Sequence, residues 1–94
     1  MKKEHPYFNL GGTTVVYKAD VLGIFDLDTA STERDTKRYL KEMESAHRVV
    51  TVGYDLPKAF AITCDADGGH EKAYITTLAS SSLYGRWNRQ SKYL

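Results

Sequence analysis

Two aspartates that follow an apolar run are the first residues in this sequence that suggest chemistry. Asp26 and Asp28 are two residues apart, and Thr29 follows directly. Phosphatases with a nucleophilic and an acidic aspartate after a strand carry the spacing Asp-x-Asp-x-Thr, so the threonine here comes one residue early. That chemistry also needs a distant lysine, a further acidic pair for Mg²⁺ and a larger doubly wound domain.

A calcium-binding loop does not fit this segment either, because it needs Gly at position 31 and Glu at position 37, where Ser31 and Lys37 stand. The pattern therefore favours a strand end whose aspartates face solvent near the positive N-terminus of a following helix. A small Mg²⁺-dependent phosphohydrolase that uses Asp26 and Asp28 is the weaker alternative.

A second acidic cluster lies in the segment DADGGHE, where Asp65, Asp67, His70 and Glu71 are residue types that bind metals. Structural metal sites usually gather ligands from two segments, and no second cluster faces this one. We therefore expect a solvated hairpin turn without a metal. The sequence shows no Ser-His-Asp arrangement, Cys-His pairing or phosphate-binding Gly loop before a helix. We expect neither an enzyme nor a cofactor.

The bulk composition is that of one small globular domain. The chain has 94 residues, of which 41% are hydrophobic and 27% charged, with a net charge of +1. Binding to nucleic acid must therefore come from local patches. The single cysteine, Cys64, lies in an apolar run, which predicts a buried, inert thiol and a reducing compartment. No segment reaches the length of a membrane span. We expect a cytoplasmic protein without a membrane or small-molecule ligand.

Hydrophobic patterning predicts six strands and two helices. The strands are expected at residues 7–10, 13–17, 21–27, 48–52, 58–64 and 72–78. The Gly-Gly pair at 11–12 predicts a hairpin between the first two strands. The predicted order is three strands, a helix, three strands and a second helix, so strands and helices do not alternate along the chain. This order predicts an α+β fold with a small, mostly antiparallel sheet.

The central helix is predicted to be amphipathic and capped by Ser31 or Thr32. Its buried face is expected to carry Tyr39, Leu40, Met43 and Ala46. A short second helix is expected in the C-terminal segment 80–94. We predict one domain at residues 7–90, with flexible ends at 1–6 and 91–94.

The opposite side of the central helix is basic. It carries Arg34, Lys37, Arg38 and Lys41, with Glu33 and Glu44 along one edge and Asp35 and Glu42 along the other. One interpretation is a solvated face with ion pairs such as Glu33–Lys37. The other is phosphate binding, because affinity rises with the number of charges neutralised when the face is repeated around an oligomer.

The C-terminal tail is basic and aromatic. Arg86, Arg89 and Lys92 alternate with Tyr84, Trp87 and Tyr93, and no acidic residue follows Glu71. This composition suits nucleic-acid binding. It also suits a terminal helix that docks its aromatics onto a neighbouring subunit, an interpretation favoured by Leu83 and Trp87 at i,i+4 spacing.

Three sequence segments, with a helix between the first two, give the chain a family resemblance. NLGGTTVVYKADVLGIFDLDT, a helix, LPKAFAIT and YITTLASSSLYGR resemble the RemA/RemB family of bacterial extracellular matrix regulatory proteins over residues 8–87. The resemblance implies a non-enzymatic regulator that forms homo-oligomeric rings, binds the phosphates of double-stranded DNA along a basic rim and activates biofilm matrix genes. The expected DNA contacts are Lys18, Lys58, Arg86, Arg89, Arg34, Lys37, Arg38 and Lys41.

Three positions depart from the RemA branch. Asp20, Asp55 and Leu56 stand where that branch carries arginines, while Lys58 matches a basic position. The sequence LPKAF resembles the RemB branch more closely than the RemA branch. An aspartate repels phosphate, so the alternative is an oligomeric protein-interaction module that does not bind DNA directly.

Overall fold

The computed structural model describes residues 6–27, 34–53, 55–64 and 69–91. Its strands are β1 (Tyr7–Gly11), β2 (Thr14–Tyr17), β3 (Val21–Asp26), β4 (Val49–Val52), β5 (Ala59–Cys64) and β6 (Glu71–Thr76), and its helices are α1 (Arg34–Ser45) and α2 (Ser80–Ser91). A short 3₁₀ turn, Lys18–Asp20, joins β2 to β3. The predicted α+β order is confirmed. The predicted cap at Ser31 or Thr32 and the ends at 1–5 and 92–94 lie outside the described residues.

The strands form two sheets, which are mostly antiparallel as predicted. β1 and β2 pair as a hairpin, and the other four strands have the order β3-β5-β6-β4. The Gly-Gly turn is confirmed, because Gly11 and Gly12 have φ values of 132° and 52°, which glycine adopts readily. β4 is the exception to antiparallel pairing: it lies parallel to β6, which separates it from β5 in the sheet.

The four-stranded sheet is covered on both faces. Alternate residues of β5 point to opposite sides. Phe60 and Ile62 pack with Met43 of α1, and Ala59 and Ala61 lie in a second cluster with Leu83 of α2. The hairpin adds Phe8, Leu10 and Val16 to the second cluster. β5 is therefore buried on both sides, which explains its unbroken apolar run.

One prediction about the helices needs correction. Ala46 is exposed, because α1 ends at Ser45 and the chain turns at His47, whose φ is 59°. The amide of Arg48 then closes the end of α1 on the Met43 carbonyl at 2.9 Å. The predicted C-terminal helix is confirmed, and it spans 12 residues and continues through Gly85.

Candidate nucleic-acid interface

The basic side of α1 faces solvent. Tyr39, Leu40 and Met43 pack onto the sheet, so the side chains about 180° away around the helix point outward. This side of α1 carries four exposed cations, which are Arg34, Lys37, Arg38 and Lys41. Arg38 makes a long ion pair with Asp35, with Nη2 and Oδ1 3.9 Å apart and both side chains well exposed. Such a pair is weak and leaves the cation accessible.

The row of cations has a length that suits a nucleic-acid backbone. Lys41 lies seven positions after Arg34, which is roughly 10 Å along a helix axis at ~1.5 Å per residue. A DNA duplex carries about six phosphate charges over that length. The exposed acidic residues Glu42 and Glu44 border the row, so the positive potential is confined to the crest of α1.

Lys18 does not belong to this surface. The 3₁₀ turn directs its side chain inward, where it is only 5% exposed. Its Nζ lies 4.5 Å from the centre of the Trp87 ring and 3.5 Å from the Trp87 carbonyl oxygen. This burial contradicts the prediction that Lys18 binds phosphate, because the ammonium group is already enclosed by the protein.

Arg86 and Arg89 of α2 differ in their surroundings. Arg86 is half-buried, and its Nη1 donates to Asn9 Oδ1 at 3.2 Å. The same Asn9 oxygen accepts the amide of Gly11 at 2.8 Å, while Asn9 Nδ2 donates to Gly12. Arg86 therefore links α2 to the hairpin turn. Arg89 is exposed and can reach a ligand. Lys92 lies outside the described residues.

The turn before β5 is exposed but is not basic. Leu56 is 82% exposed, Asp55 is exposed and Lys58 is the accessible cation of this turn. Asp20, the third departure from the RemA branch, is half-buried. The exposed acid three positions before Lys58 in the same turn disfavours phosphate binding here, so α1 remains the better candidate.

Leu83 and Trp87 of the C-terminal helix pack within their own subunit. Leu83 is fully buried in the cluster that holds Phe8, and the Trp87 ring meets Phe8 edge-on with centroids 5.1 Å apart. The expectation that these residues dock onto a neighbouring subunit is wrong for Leu83 and Trp87, because β1 and β3 of the same chain provide the apolar surface.

The acidic clusters add no metal site among the described residues. Asp26 is exposed at the end of β3, while Asp28, Asp65 and Asp67 fall outside the part of the chain that the structure describes. Within that part, no three His, Cys, Asp or Glu residues are close enough to hold a metal ion, and no helix is long and apolar enough to cross a membrane. Cys64 is half-buried, which is less than predicted.

Sequence reasoning missed a polar network beside α1. The Tyr39 hydroxyl donates to Glu71 Oε1. Burial, together with this hydrogen bond and the nearby carboxylate charge, raises the pKa of Tyr39 to about 12. Arg48 Nη2 lies 3.3 Å from His70 Nδ1. No local sequence pattern predicts these contacts, because Tyr39 and Glu71 are 32 residues apart in the chain.

Sequence reasoning also missed the outer face of the hairpin. The rings of Tyr7 and Tyr17 lie 5.2 Å apart, and both tyrosines and Val15 are about half exposed. Alternation within the two strands is the signal that predicts this face, because Phe8, Leu10 and Val16 occupy the inner positions.

No protein-family model matches the sequence, and a search of curated proteins finds no significant match. The resemblance to the RemA/RemB family therefore rests on the three sequence segments and the helix between the first two.

Proposed function

We propose that the chain is a non-enzymatic, cytoplasmic DNA-binding regulator of the RemA/RemB kind that acts as a homo-oligomeric ring. Biofilm matrix genes are the targets that the resemblance implies. The proposal of DNA binding is supported by an exposed row of cations on α1, namely Arg34, Lys37, Arg38 and Lys41.

The chemistry of this row is phosphate neutralisation. Lysine and arginine side chains on a convex helix release counterions from the DNA backbone, which gives affinity without base specificity. With a net charge of only +1, a single subunit offers a small positive patch. Several copies in one assembly multiply the contacts. Lys58 and Arg89 are exposed and can add to them.

The test is the salt dependence of binding to a duplex of about 60 base pairs, a length that spans several subunits at ~3.4 Å per pair. The variant Lys37→Gln/Lys41→Gln removes two charges from α1. We expect the slope of log affinity against log salt to become shallower by about 1.8 for each engaged subunit. The variant Lys72→Gln removes an exposed charge from β6 and serves as the control that keeps the wild-type slope.

A wild-type protein that binds duplex with no dependence on salt would refute the proposal. If the wild type and the α1 double variant show equal slopes of log affinity against log salt, DNA binds to a surface other than α1.

The second candidate is a protein-interaction module that does not touch DNA. The exposed face formed by Tyr7, Val15 and Tyr17 favours it, because paired aromatics on a surface are typical of protein contacts. The exposed Asp55 also favours it, since an acid in the same turn as Lys58 opposes phosphate binding. A large assembly in light scattering that leaves the duplex unbound at low salt would support this candidate.

A further inference from the structure

β2 is an open edge of the hairpin. It pairs with β1 on one side, and no other strand in the described part of the chain pairs with it. Its side chains on the outer face of the hairpin are Val15, which is 50% exposed, and Tyr17, which is 57% exposed. An edge strand offers unpaired N–H and C=O groups to a second extended chain. Another strand can therefore be added beside β2.

The backbone hydrogen bonds of the hairpin show which groups of β2 face the open side. The amide of Lys18 donates to the Pro6 carbonyl at 2.8 Å. In an antiparallel pair, residues that bond to the partner strand alternate with residues that do not. Val16 therefore bonds to Phe8, the residue opposite it, and Val15 directs its N–H and C=O groups away from β1. Within the described part of the chain, no hydrogen bond from outside the hairpin reaches Val15.

The edges at β1 and β3 are better protected than the edge at β2. On β1, the Leu10 carbonyl accepts the Thr76 hydroxyl at 2.6 Å. On β3, the Ile24 carbonyl accepts the Tyr84 hydroxyl. Proteins also protect edge strands with charged residues, prolines and bulges. β2 has the sequence TVVY, which contains no charge and no proline, and the bulge of the hairpin lies on β1.

The charge of the hairpin indicates which occupant fits its edge. Residues 6–17 contain no acidic and no basic residue. A nucleic-acid backbone binds to cations and a charged peptide binds to the opposite charge, so neither gains an electrostatic contact here. A second copy of β2 meets no like-charge repulsion and brings an equally apolar outer face. A twofold contact uses the same patch on both subunits and therefore needs a surface that is compatible with itself.

We propose that β2 pairs antiparallel with β2 of a second copy of the chain, about a twofold axis at Val15, so that two hairpins form one new sheet of four strands. The N–H and C=O groups of Val15 in each copy bond to those of Val15 in the other. The two valine side chains lie side by side on the outer face. The Tyr17 ring, 5.2 Å from the Tyr7 ring, extends this apolar strip on both sides of the axis. Cross-strand pairs of β-branched and aromatic residues stabilise such a sheet.

This inference rests on the proposed self-association of the chain but not on DNA binding. A twofold contact joins copies in pairs, whereas a ring also needs a head-to-tail contact between its subunits. Loss of the contact at β2 should therefore divide the assembly into halves or smaller units and leave the head-to-tail contact in place.

The test places charges at the proposed axis and measures the solution mass of the full chain by light scattering on a sizing column. Val15→Lys brings two ammonium groups together, and Val15→Glu brings two carboxylates together. We expect each variant alone to have about half of the wild-type mass or less. Mixing the two variants should restore the wild-type mass, because a lysine then lies opposite a glutamate. A contact in which position 15 does not meet itself would not be restored by mixing.

Thr51→Lys and Thr51→Glu are the matched controls, because Thr51 is exposed on β4, the other edge of the larger sheet. Each should keep the wild-type mass. Circular dichroism of every variant checks that a lower mass does not come from unfolding.

A cysteine variant tests the same axis without adding charge. Val15→Cys/Cys64→Ser should form a disulfide-linked dimer on oxidation, because directly opposite Cα atoms in an antiparallel pair are about 5.5 Å apart, which a disulfide can span. Thr51→Cys/Cys64→Ser should stay unlinked under the same conditions.

Three outcomes would overturn the proposal. A wild-type chain that is a monomer up to about 1 mM, the limit of weak association, would exclude the contact at β2 together with the ring. Charged variants at position 15 that keep the wild-type mass would exclude the contact at β2 and leave the ring standing. An equal loss of mass for the variants at positions 15 and 51 would show that the effect is not specific to β2. An assembly that divides as expected but leaves the DNA duplex unbound would support this inference and refute the proposal of DNA binding.

Discussion

Lys18 shows at the scale of one residue why a cation in the sequence does not locate a binding surface. The side chain is buried against the Trp87 ring, so its charge stabilises the join between the 3₁₀ turn and α2. An ammonium group over an indole face, with its aliphatic stem packed, contributes to folding and not to ligand binding.

Replacing Lys18 therefore tests this structural role. For Lys18→Ala we expect the free energy of unfolding, measured in urea, to fall by about 1–3 kcal/mol, because a buried cation–π contact and the stem packing are lost. Lys58→Ala, at an exposed position, should change it by less than about 0.5 kcal/mol. A Lys18→Ala protein of unchanged stability but weaker DNA binding would contradict this assignment.

Tyr39 gives a prediction about pH. Burial, the hydrogen bond to Glu71 and its charge hold the folded-state pKa at about 12, whereas an unfolded tyrosine ionises near ~10. A raised pKa means that the stabilisation is complete below the unfolded value and is lost as pH rises from about 10 through about 12. The stability difference between the wild type and Tyr39→Phe should therefore shrink over this range.

Urea unfolding at about pH 9 and about pH 11 measures this difference. Glu71→Gln is the companion variant, because it removes the negative charge that helps to raise the pKa of Tyr39 and should reduce the pH effect. A difference between the wild type and Tyr39→Phe that is the same at both pH values would contradict the prediction.

At the scale of elements, Thr76 joins the two sheets. Its hydroxyl is fully buried, donates to the Leu10 carbonyl at 2.6 Å and accepts the amide of Leu78 at 3.2 Å. The hairpin is not paired with the larger sheet by a strand ladder. This side chain therefore provides a buried hydrogen bond between β1 and β6 that main-chain pairing does not supply.

Thr76→Val keeps the shape of the side chain and removes the hydroxyl. We expect a loss of about 1–3 kcal/mol in the free energy of unfolding, because the buried Leu10 carbonyl and Leu78 amide lose their partner. Thr51→Val on β4 is the control, since Thr51 is exposed, and it should change stability by less than about 0.5 kcal/mol. Equal effects of the two variants would show that the Thr76 hydroxyl does not join the sheets.

At the scale of the whole molecule, a small core coexists with exposed apolar surface. A domain of 94 residues buries a limited share of its surface. The face formed by Tyr7, Val15 and Tyr17 lies on the hairpin, on the side opposite its buried residues. Self-association through this face would cover it and add to stability by mass action.

The variant Val15→Ser/Tyr17→Ser tests this idea by light scattering on a sizing column. We expect a lower solution mass than the wild type, since the apolar face is removed while the inner core is kept. Leu56→Ser is the control, because Leu56 is the most exposed large apolar residue in the part of the chain that the structure describes, and it lies in the turn before β5. An unchanged mass in the double variant would exclude the hairpin face as the contact between copies.

The sequence by itself determined the elements and the face of α1 that is basic. Strand and helix positions follow from local alternation and helical spacing, and the Gly-Gly turn needs only the freedom of glycine at positive φ. The exposure of Arg34 and Lys41 could be predicted for the same reason, since the apolar residues of α1 fix which side is buried.

Only the tertiary structure decided the contacts between distant segments. It buried Lys18 against Trp87, 69 residues away, docked Leu83 onto its own chain, paired β4 with β6 in parallel and left β3 at an open edge. The physical reason is that hydrophobic patterning specifies which side of an element is apolar but carries no information about its partner. That choice depends on how the whole chain covers its apolar surface and satisfies its buried polar groups.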